Sequence, residues 1–163
     1  MKIQFAKYEL LMAAGVGVWR RVESMGIQSA FDPKYDWSSE IESACAELAA
    51  AKALNLYWDG SVNTFKAPDL PGNIQVRHTE HLNGRLIVRE GDSDDHIFLL
   101  VVGKVPSMHV IGWLLGAKAK QDRFLMDPNG RGRAWFVPQG CLLMVEELTR
   151  TLRGERRQEA CVL

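Results

Sequence analysis

Residues 65–78 read FKAPDLPGNIQVRH, and this stretch decides how the surrounding chain is interpreted. Apolar and polar residues alternate from position 73 onward, which predicts a strand with Gln75 and Arg77 on the same face. Asp69 precedes this strand in a loop that contains two prolines, and Gly72 allows the chain to turn. The Asp69 carboxylate can therefore return over the start of the strand, which is a geometry suited to a metal ion.

These residues resemble the sequence motif of the PD-(D/E)XK nuclease-like proteins, also called restriction-endonuclease-like. In that family a Pro-Asp pair precedes a strand that carries Asp or Glu, then any residue, then Lys. Here Pro68-Asp69 precedes Gln75-Val76-Arg77, so glutamine stands in place of the acidic residue and arginine in place of the lysine. The resemblance implies metal-dependent hydrolysis of DNA phosphodiesters or, with the altered motif, DNA binding without turnover.

The resemblance also implies a site that holds Mg²⁺ or Mn²⁺. Its expected ligands are Asp69, the main-chain carbonyl of Val76 and Glu47, because a helix before the strand often supplies an acidic residue in this family. Asp69, Gln75, Arg77 and Glu47 are then the candidate catalytic residues. Arg77 can hold a phosphate but stays charged, so it cannot act as a base. Glu47 can equally be a solvated residue at the border of an amphipathic helix.

Length and composition indicate one globular domain over residues 1–163. The chain is 47% hydrophobic and 25% charged, and its formal net charge is zero, so any binding to nucleic acid requires a local basic patch. It contains no long apolar run and no leader typical of a signal peptide, which predicts a cytoplasmic protein without a membrane span. The three cysteines lack Cys-x-x-Cys spacing, which favours reduced thiols over a zinc site.

Two helices are predicted before the motif. Apolar residues recur near helical spacing from about residue 5 to 25, although Gly15 and Gly17 indicate either close packing or a break there. The second helix is predicted over about 39–54, with Ser39 and Glu42 as a capping box. Its many alanines allow it to lie close against a sheet.

The remaining elements predict an α/β (α+β) fold, in which helices flank a central mixed β-sheet of about four or five strands. Besides the motif strand, strands are expected at 56–58, 85–89, 96–102 and 108–115, and a last helix at 142–152. The run 96–102 is almost entirely apolar, which is typical of a strand buried on both faces. This order resembles a nuclease-like core over about 38–115, followed by a basic segment and helix over about 116–153 and a polar tail over 154–163.

Candidate DNA contacts lie in the basic segment. Residues 116–157 contain nine Lys or Arg against five Asp or Glu, an excess of four positive charges. The candidate contacts are Lys118, Lys120, Arg131 and Arg133. Trp135 and Phe136 follow them and can either stack on nucleic-acid bases or pack in the core.

A different class of function also fits the sequence, namely a non-catalytic protein-interaction module such as an inhibitor or adaptor from a phage or other mobile element. This interpretation predicts binding to a partner protein without DNA, and it makes Asp69 dispensable. His78 and His81 are interpreted as surface residues, since one ends a strand and the other lies in a turn. The chain has no glycine-rich phosphate loop, serine nucleophile elbow or dinucleotide fingerprint.

Overall fold

The computed structural model of the protein describes residues 1–25, 36–62, 67–128, 130 and 132–154. Its secondary structure is mixed α+β, as the sequence predicts. The helices are α1 (Lys7–Met25), α2 (Trp37–Leu54), α3 (Gly116–Ala119) and α4 (Val145–Leu152). The strands are β1 (Lys2–Ile3), β2 (Ile74–Thr79), β3 (Leu86–Arg89), β4 (Ile97–Lys104), β5 (Ser107–Leu115), β6 (Leu125–Met126) and β7 (Ala134–Val137). Over these ranges no helix is both long and apolar enough to cross a membrane.

The strands form two sheets. The first is mixed and has the order β1-β5-β4-β2, with β2 parallel to β4 and the other neighbours antiparallel. The second is antiparallel and has the order β3-β7-β6, so the strand predicted at 85–89 leaves the central sheet to pair with a strand of the basic segment. The motif strand β2 is thereby left at an edge of the first sheet.

The first sheet is covered on both faces. One face packs Ile74, Leu99 and Val101 against α2, while Phe98 and Leu100 on the other face pack against the second sheet. Strand β4 lies between these two layers, which confirms the prediction of a strand buried on both faces. The strand predicted at 56–58 is wrong, because those residues are irregular in the structure.

Helix α2 lies close to the first sheet because its buried face is made largely of alanine. The predicted capping box is wrong: the helix begins at Trp37, and its cap is Asp36, whose carboxylate accepts a hydrogen bond from the Ser39 amide at 3.0 Å. The Glu42 carboxylate accepts instead from the Val105 amide at 3.1 Å. Cys45 is buried in this layer, and its burial raises the pKa of the thiol to about 11, which makes it unreactive.

Helix α1 is continuous through both glycines, so the expected break is absent. It packs on α2 through a face of small or polar residues, in which Gly17 comes so close that an added Cβ would lie 2.6 Å from the Ile41 Cα. Most of its large apolar residues point away from the protein. The exposed ones are Tyr8, Leu11, Met12, Val18, Trp19, Val22 and Met25.

Substitution Gly17→Ala is expected to lower the free energy of unfolding by about 2 to 3 kcal/mol, because the new methyl group would meet the backbone of α2. Gly15→Ala is the matched control. Nothing lies within 4 Å of a Cβ built at Gly15, so alanine should raise stability there by up to about 1 kcal/mol. Urea denaturation followed by circular dichroism measures both values, and a Gly17→Ala variant as stable as wild type would contradict the close packing of the two helices.

Candidate functional site

The loop before β2 folds back along the free edge of that strand. Leu70 and Ile74 form an isolated antiparallel bridge, with N–H···O distances of 3.1 and 3.4 Å. Gly72 and Asn73 make the turn with φ angles of 84° and 58°, values that favour glycine and asparagine. The turn brings the Asp69 carboxylate beside the strand, where its Oδ2 accepts a hydrogen bond from the Val76 amide at 2.7 Å.

The edge position also determines where the Val76 carbonyl points. In a β-strand the amide and the carbonyl of one residue are directed to the same side. The Val76 amide is directed to the free edge, since it bonds to Asp69 there, and the Val76 carbonyl is therefore directed to that edge too. Two oxygen donors of the expected metal site, the Asp69 carboxylate and the Val76 carbonyl, thus belong to the same edge of the sheet.

Glu47 is a buried carboxylate on the inner side of α2, and it is fully engaged. Arg20 of α1 donates to both of its oxygens, at 2.5 Å to Oε1 and 2.8 Å to Oε2, and the Trp58 indole donates to Oε2 at 3.1 Å. Arg20 also donates to the main-chain carbonyl of Ser61 at 2.8 and 3.0 Å. The alternative of a solvated glutamate is therefore wrong, because Glu47 belongs to a buried ion pair.

The two carboxylates influence each other. Burial and the negative charge of Glu47 raise the pKa of Asp69 to about 6, against the smaller opposing effects of the Val76 amide and of the Arg77 and Arg20 charges. Two acidic groups that repel each other in a partly buried position are a common feature of sites that take up a cation or a proton. The surroundings of Asp69 therefore disfavour the ionised form of its carboxyl group.

Gln75 and Arg77 lie on the face of β2 that is turned away from α2. Their register partners on β4 are Phe98 and Leu100, which belong to the core beneath the second sheet. Glu47 and the two strand side chains therefore flank Asp69 from opposite faces of the first sheet. Gln75 and Arg77 thus share one face of β2, as the alternation predicts, while Glu47 belongs to the helix that covers the opposite face.

Both strand residues have partners of their own. The Gln75 side-chain amide donates to the main-chain carbonyl of Ala67 at 3.2 Å. Arg77 donates to the Asp92 carboxylate at 2.9 Å, and its guanidinium carbon lies 5.1 Å from the centre of the Phe98 ring. Asp92 is therefore a structural partner of the motif arginine.

A metal ion at this point would have few protein ligands. Among the described residues no group of three or more His, Cys, Asp or Glu side chains could hold one. The donors nearest this point are the Asp69 carboxylate and the Val76 carbonyl, which are hard oxygen ligands of the kind that Mg²⁺ uses together with several waters. Glu47 has the same oxygen chemistry, but a bond to the ion would have to replace its hydrogen bonds to Arg20 or Trp58.

The predicted DNA contacts of the basic segment do not form one patch. Lys118 and Arg133 are exposed, whereas Lys120 donates to the Asp92 carbonyl at 2.5 Å and forms an ion pair with Asp94 at 2.7 Å. Lys120 thus mainly stabilises the loop that contains Asp92 and Asp94. Arg131 lies outside the described residues.

Sequence reasoning missed charged residues both at this site and elsewhere in the structure. Arg20 carries no local signal, because its partner Glu47 is 27 residues away. Arg85 and Arg89 were detectable in principle: they flank a short apolar run, and their separation of four residues places both on one face of a strand.

Comparison with protein families, with curated proteins and with solved structures found no match to this chain. The resemblance of the motif to PD-(D/E)XK nucleases therefore stays a prediction.

Proposed function

We propose that this protein is a diverged, cytoplasmic PD-(D/E)XK nuclease-like protein that binds Mg²⁺ or Mn²⁺ at Asp69 and Glu47 and binds DNA beside that site. The observation that carries the proposal is the turn that folds Asp69 back onto the Val76 amide at the free edge of β2. This turn brings a carboxylate and a main-chain carbonyl together next to the one buried acidic side chain of α2.

The ion would supply a Lewis acid that lowers the pKa of a bound water and stabilises charge on a phosphodiester. Asp69, Glu47 and the Val76 carbonyl would hold it. Arg20 orients the Glu47 carboxylate through two parallel hydrogen bonds. Arg77 supplies positive charge for a phosphate, although its ion pair with Asp92 limits its reach.

Hydrolysis is expected to be weak or absent because the strand carries Gln75. An amide oxygen is a poorer ligand for a hard cation than a carboxylate, and it leaves the site with one negative charge fewer. Arg77 stays protonated and offers no general base. The side chains around Asp69 therefore favour binding over turnover.

Gln75→Glu is expected to tighten Mn²⁺ binding about tenfold and to introduce metal-dependent nicking of plasmid DNA, since it adds a carboxylate at an unchanged side-chain length. Calorimetric titration gives the affinity, and gel electrophoresis gives the nicking. The control is Gln4→Glu, which adds the same charge at an exposed position that is distant from Gln75 in the sequence. Equal affinities for wild type and both variants would exclude Gln75 from the site.

The exposed apolar stripe of α1 favours a second candidate function, the protein-interaction module. Its residues Tyr8, Leu11, Val18, Val22 and Met25 follow the alternating three- and four-residue spacing of a heptad repeat, with Gly15 in the remaining position. Such a stripe fits another amphipathic helix. A second copy of this chain is the simplest occupant, because antiparallel pairing sets Leu11 against Val22 and Gly15 against Val18 in a self-complementary way.

Under this second candidate, wild-type protein is expected to self-associate with rising concentration, and Leu11→Ser with Val22→Ser is expected to abolish the association. Sedimentation velocity measures the oligomeric state. Both side chains are largely exposed, so the double variant should keep its stability. A monomeric wild type throughout the concentration range would contradict pairing through α1.

A further inference from the structure

A second concave site lies between β2 and the three-stranded sheet. It is a cavity of about 680 Å³, and its wall includes Arg77, Arg85, Ile87, Arg89, Asp92 and Phe136. This volume lies within the range of pockets that bind small organic ligands or single nucleotides. The cavity contains neither Asp69 nor Glu47, so it is separate from the metal site.

Its charge is predominantly positive. Three arginines line it, together with His78 and His81, against the single carboxylate of Asp92. Asp92 is already the partner of Arg77 at 2.9 Å. Arg85 contacts only the neutral Met126 sulfur at 3.3 Å, and the Arg89 side chain has no acidic partner within the described part of the chain. Arg85 and Arg89 are therefore positive groups that an anion could neutralise.

Arg85 and Arg89 lie at the two ends of β3: Arg85 directly precedes the strand, and Arg89 is its last residue. Both are exposed like Ile87, while Leu86 and Val88 between them are buried in the core. Four residues of extended chain separate them, which places their Cα atoms about 13 Å apart. This span suits a ligand with repeated phosphates, such as a nucleic-acid strand with about 3.4 Å between stacked nucleotides, better than one isolated phosphate.

An apolar surface lies between the two charges. Ile87 faces Phe136 as its direct cross-strand partner on β7; Ile87 is exposed and Phe136 is partly buried. A nucleobase can stack on an aromatic ring of this kind whatever its sequence, while arginines bind the flanking phosphates. Bases in a duplex are already stacked within the helix, so only an unpaired base is free to enter such a cavity.

We infer that this cavity binds single-stranded DNA, with one base against Ile87 and Phe136 and the neighbouring phosphates on Arg85 and Arg89. The inference rests on the proposed function for its choice of polymer, but it requires no metal ion. Arg77 lines the cavity and its charge also reaches Asp69, so a bound strand would lie beside the carboxylates.

The test is fluorescence anisotropy with a labelled oligothymidylate of about 12 nucleotides, in EDTA, at about 50 and about 200 mM NaCl. The double variant Arg85→Ala with Arg89→Ala is expected to bind at least tenfold more weakly, with a shallower salt dependence. Phe136→Leu is expected to lose about fivefold or more, since it keeps the apolar volume but removes the ring. The matched control, Lys7→Ala with Arg150→Ala, removes two exposed charges outside the cavity and should change affinity less than twofold.

Each alternative outcome is distinguishable. Absence of binding by wild type, or an equal loss in the control, would overturn the inference. So would tighter binding to a duplex of the same length. A further outcome is that tripolyphosphate displaces the labelled oligothymidylate at the same concentration as unlabelled oligonucleotide does, while Phe136→Leu binds as wild type does. That result would show a simple anion site and would also overturn the inference. The metal site is tested apart from this, because EDTA removes divalent cations from the oligonucleotide assay and Mn²⁺ binding is measured separately.

Discussion

Arg20→Met is expected to lower the free energy of unfolding by about 3 to 5 kcal/mol near neutral pH, because it removes one partner of a buried ion pair. The Glu47 side chain is only 9% exposed, and Arg20 occupies both of its oxygens. Methionine would leave this carboxylate buried with the Trp58 indole as its remaining donor. The loss in the free energy of unfolding therefore measures the cost of a buried charge without its partner.

The Arg20→Met variant also tests the proposed metal site. If a divalent cation can occupy the position beside Glu47 and Asp69, Mn²⁺ should replace the lost guanidinium and raise the melting temperature of Arg20→Met more than that of wild type. Adding Glu47→Gln to Arg20→Met should recover much of the stability. The double variant should not show the rise in melting temperature with Mn²⁺ that is expected of Arg20→Met. Urea denaturation and thermal melts with and without Mn²⁺ measure these quantities. A destabilised Arg20→Met variant that ignores Mn²⁺ would assign the Arg20–Glu47 pair a purely structural role.

Asp69→Asn is expected to have opposite effects on stability and on metal binding. Because the pKa of Asp69 is raised to about 6 in the folded protein, its protonated form favours folding below about pH 4, and this contribution is lost as the pH rises through about 6. Asparagine cannot ionise, yet its carbonyl can still accept from the Val76 amide. The variant should therefore be about 1 to 2 kcal/mol more stable than wild type near pH 7.5, equally stable near pH 4, and should bind Mn²⁺ at least tenfold more weakly.

The charged groups around Asp69 set the sign of this effect. Glu47 on α2 raises the pKa of the carboxyl, while Arg77 on β2 and Arg20 on α1 lower it less than burial and Glu47 raise it. Urea unfolding from about pH 4 to about pH 8 measures the difference, with the exposed Asp95→Asn as the control. A stability gain for Asp69→Asn that is the same at every pH would show that ionisation of Asp69 is not its cause.

Sequence patterns predicted the elements whose local signals agree with their tertiary role. Three predicted elements are present in the structure: the apolar run of β4, the alternation in β2 and the alanine-rich α2. Each has a distinct sequence pattern, because β4 is buried on both faces, β2 lies at an edge of its sheet and α2 packs closely. The mixed α+β class follows from these elements. The same local signals do not determine which strands pair. The strand β3 was therefore predicted in the central sheet, whereas it pairs with β7 in the second sheet.

The candidate site was less predictable, because its interactions are long-range. The motif located Asp69 and its turn, but the bidentate contact of Arg20 with Glu47 joins two helices and has no signature in either. Helix α1 shows why amphipathicity alone can mislead: its small residues pack on α2, and its large apolar residues remain exposed. A helical stripe indicates that a face is apolar, but not that this chain covers it.

Calorimetric titration of Mn²⁺ into wild type, Asp69→Ala and Gln75→Glu at neutral pH tests the proposed metal site most directly. The wild type should bind one ion weakly, Asp69→Ala should show no binding, and Gln75→Glu should bind about tenfold more tightly than wild type. If all three proteins bind equally, or if none binds, Asp69 and Gln75 do not form a metal site, and the interaction-module interpretation should replace the nuclease-like one.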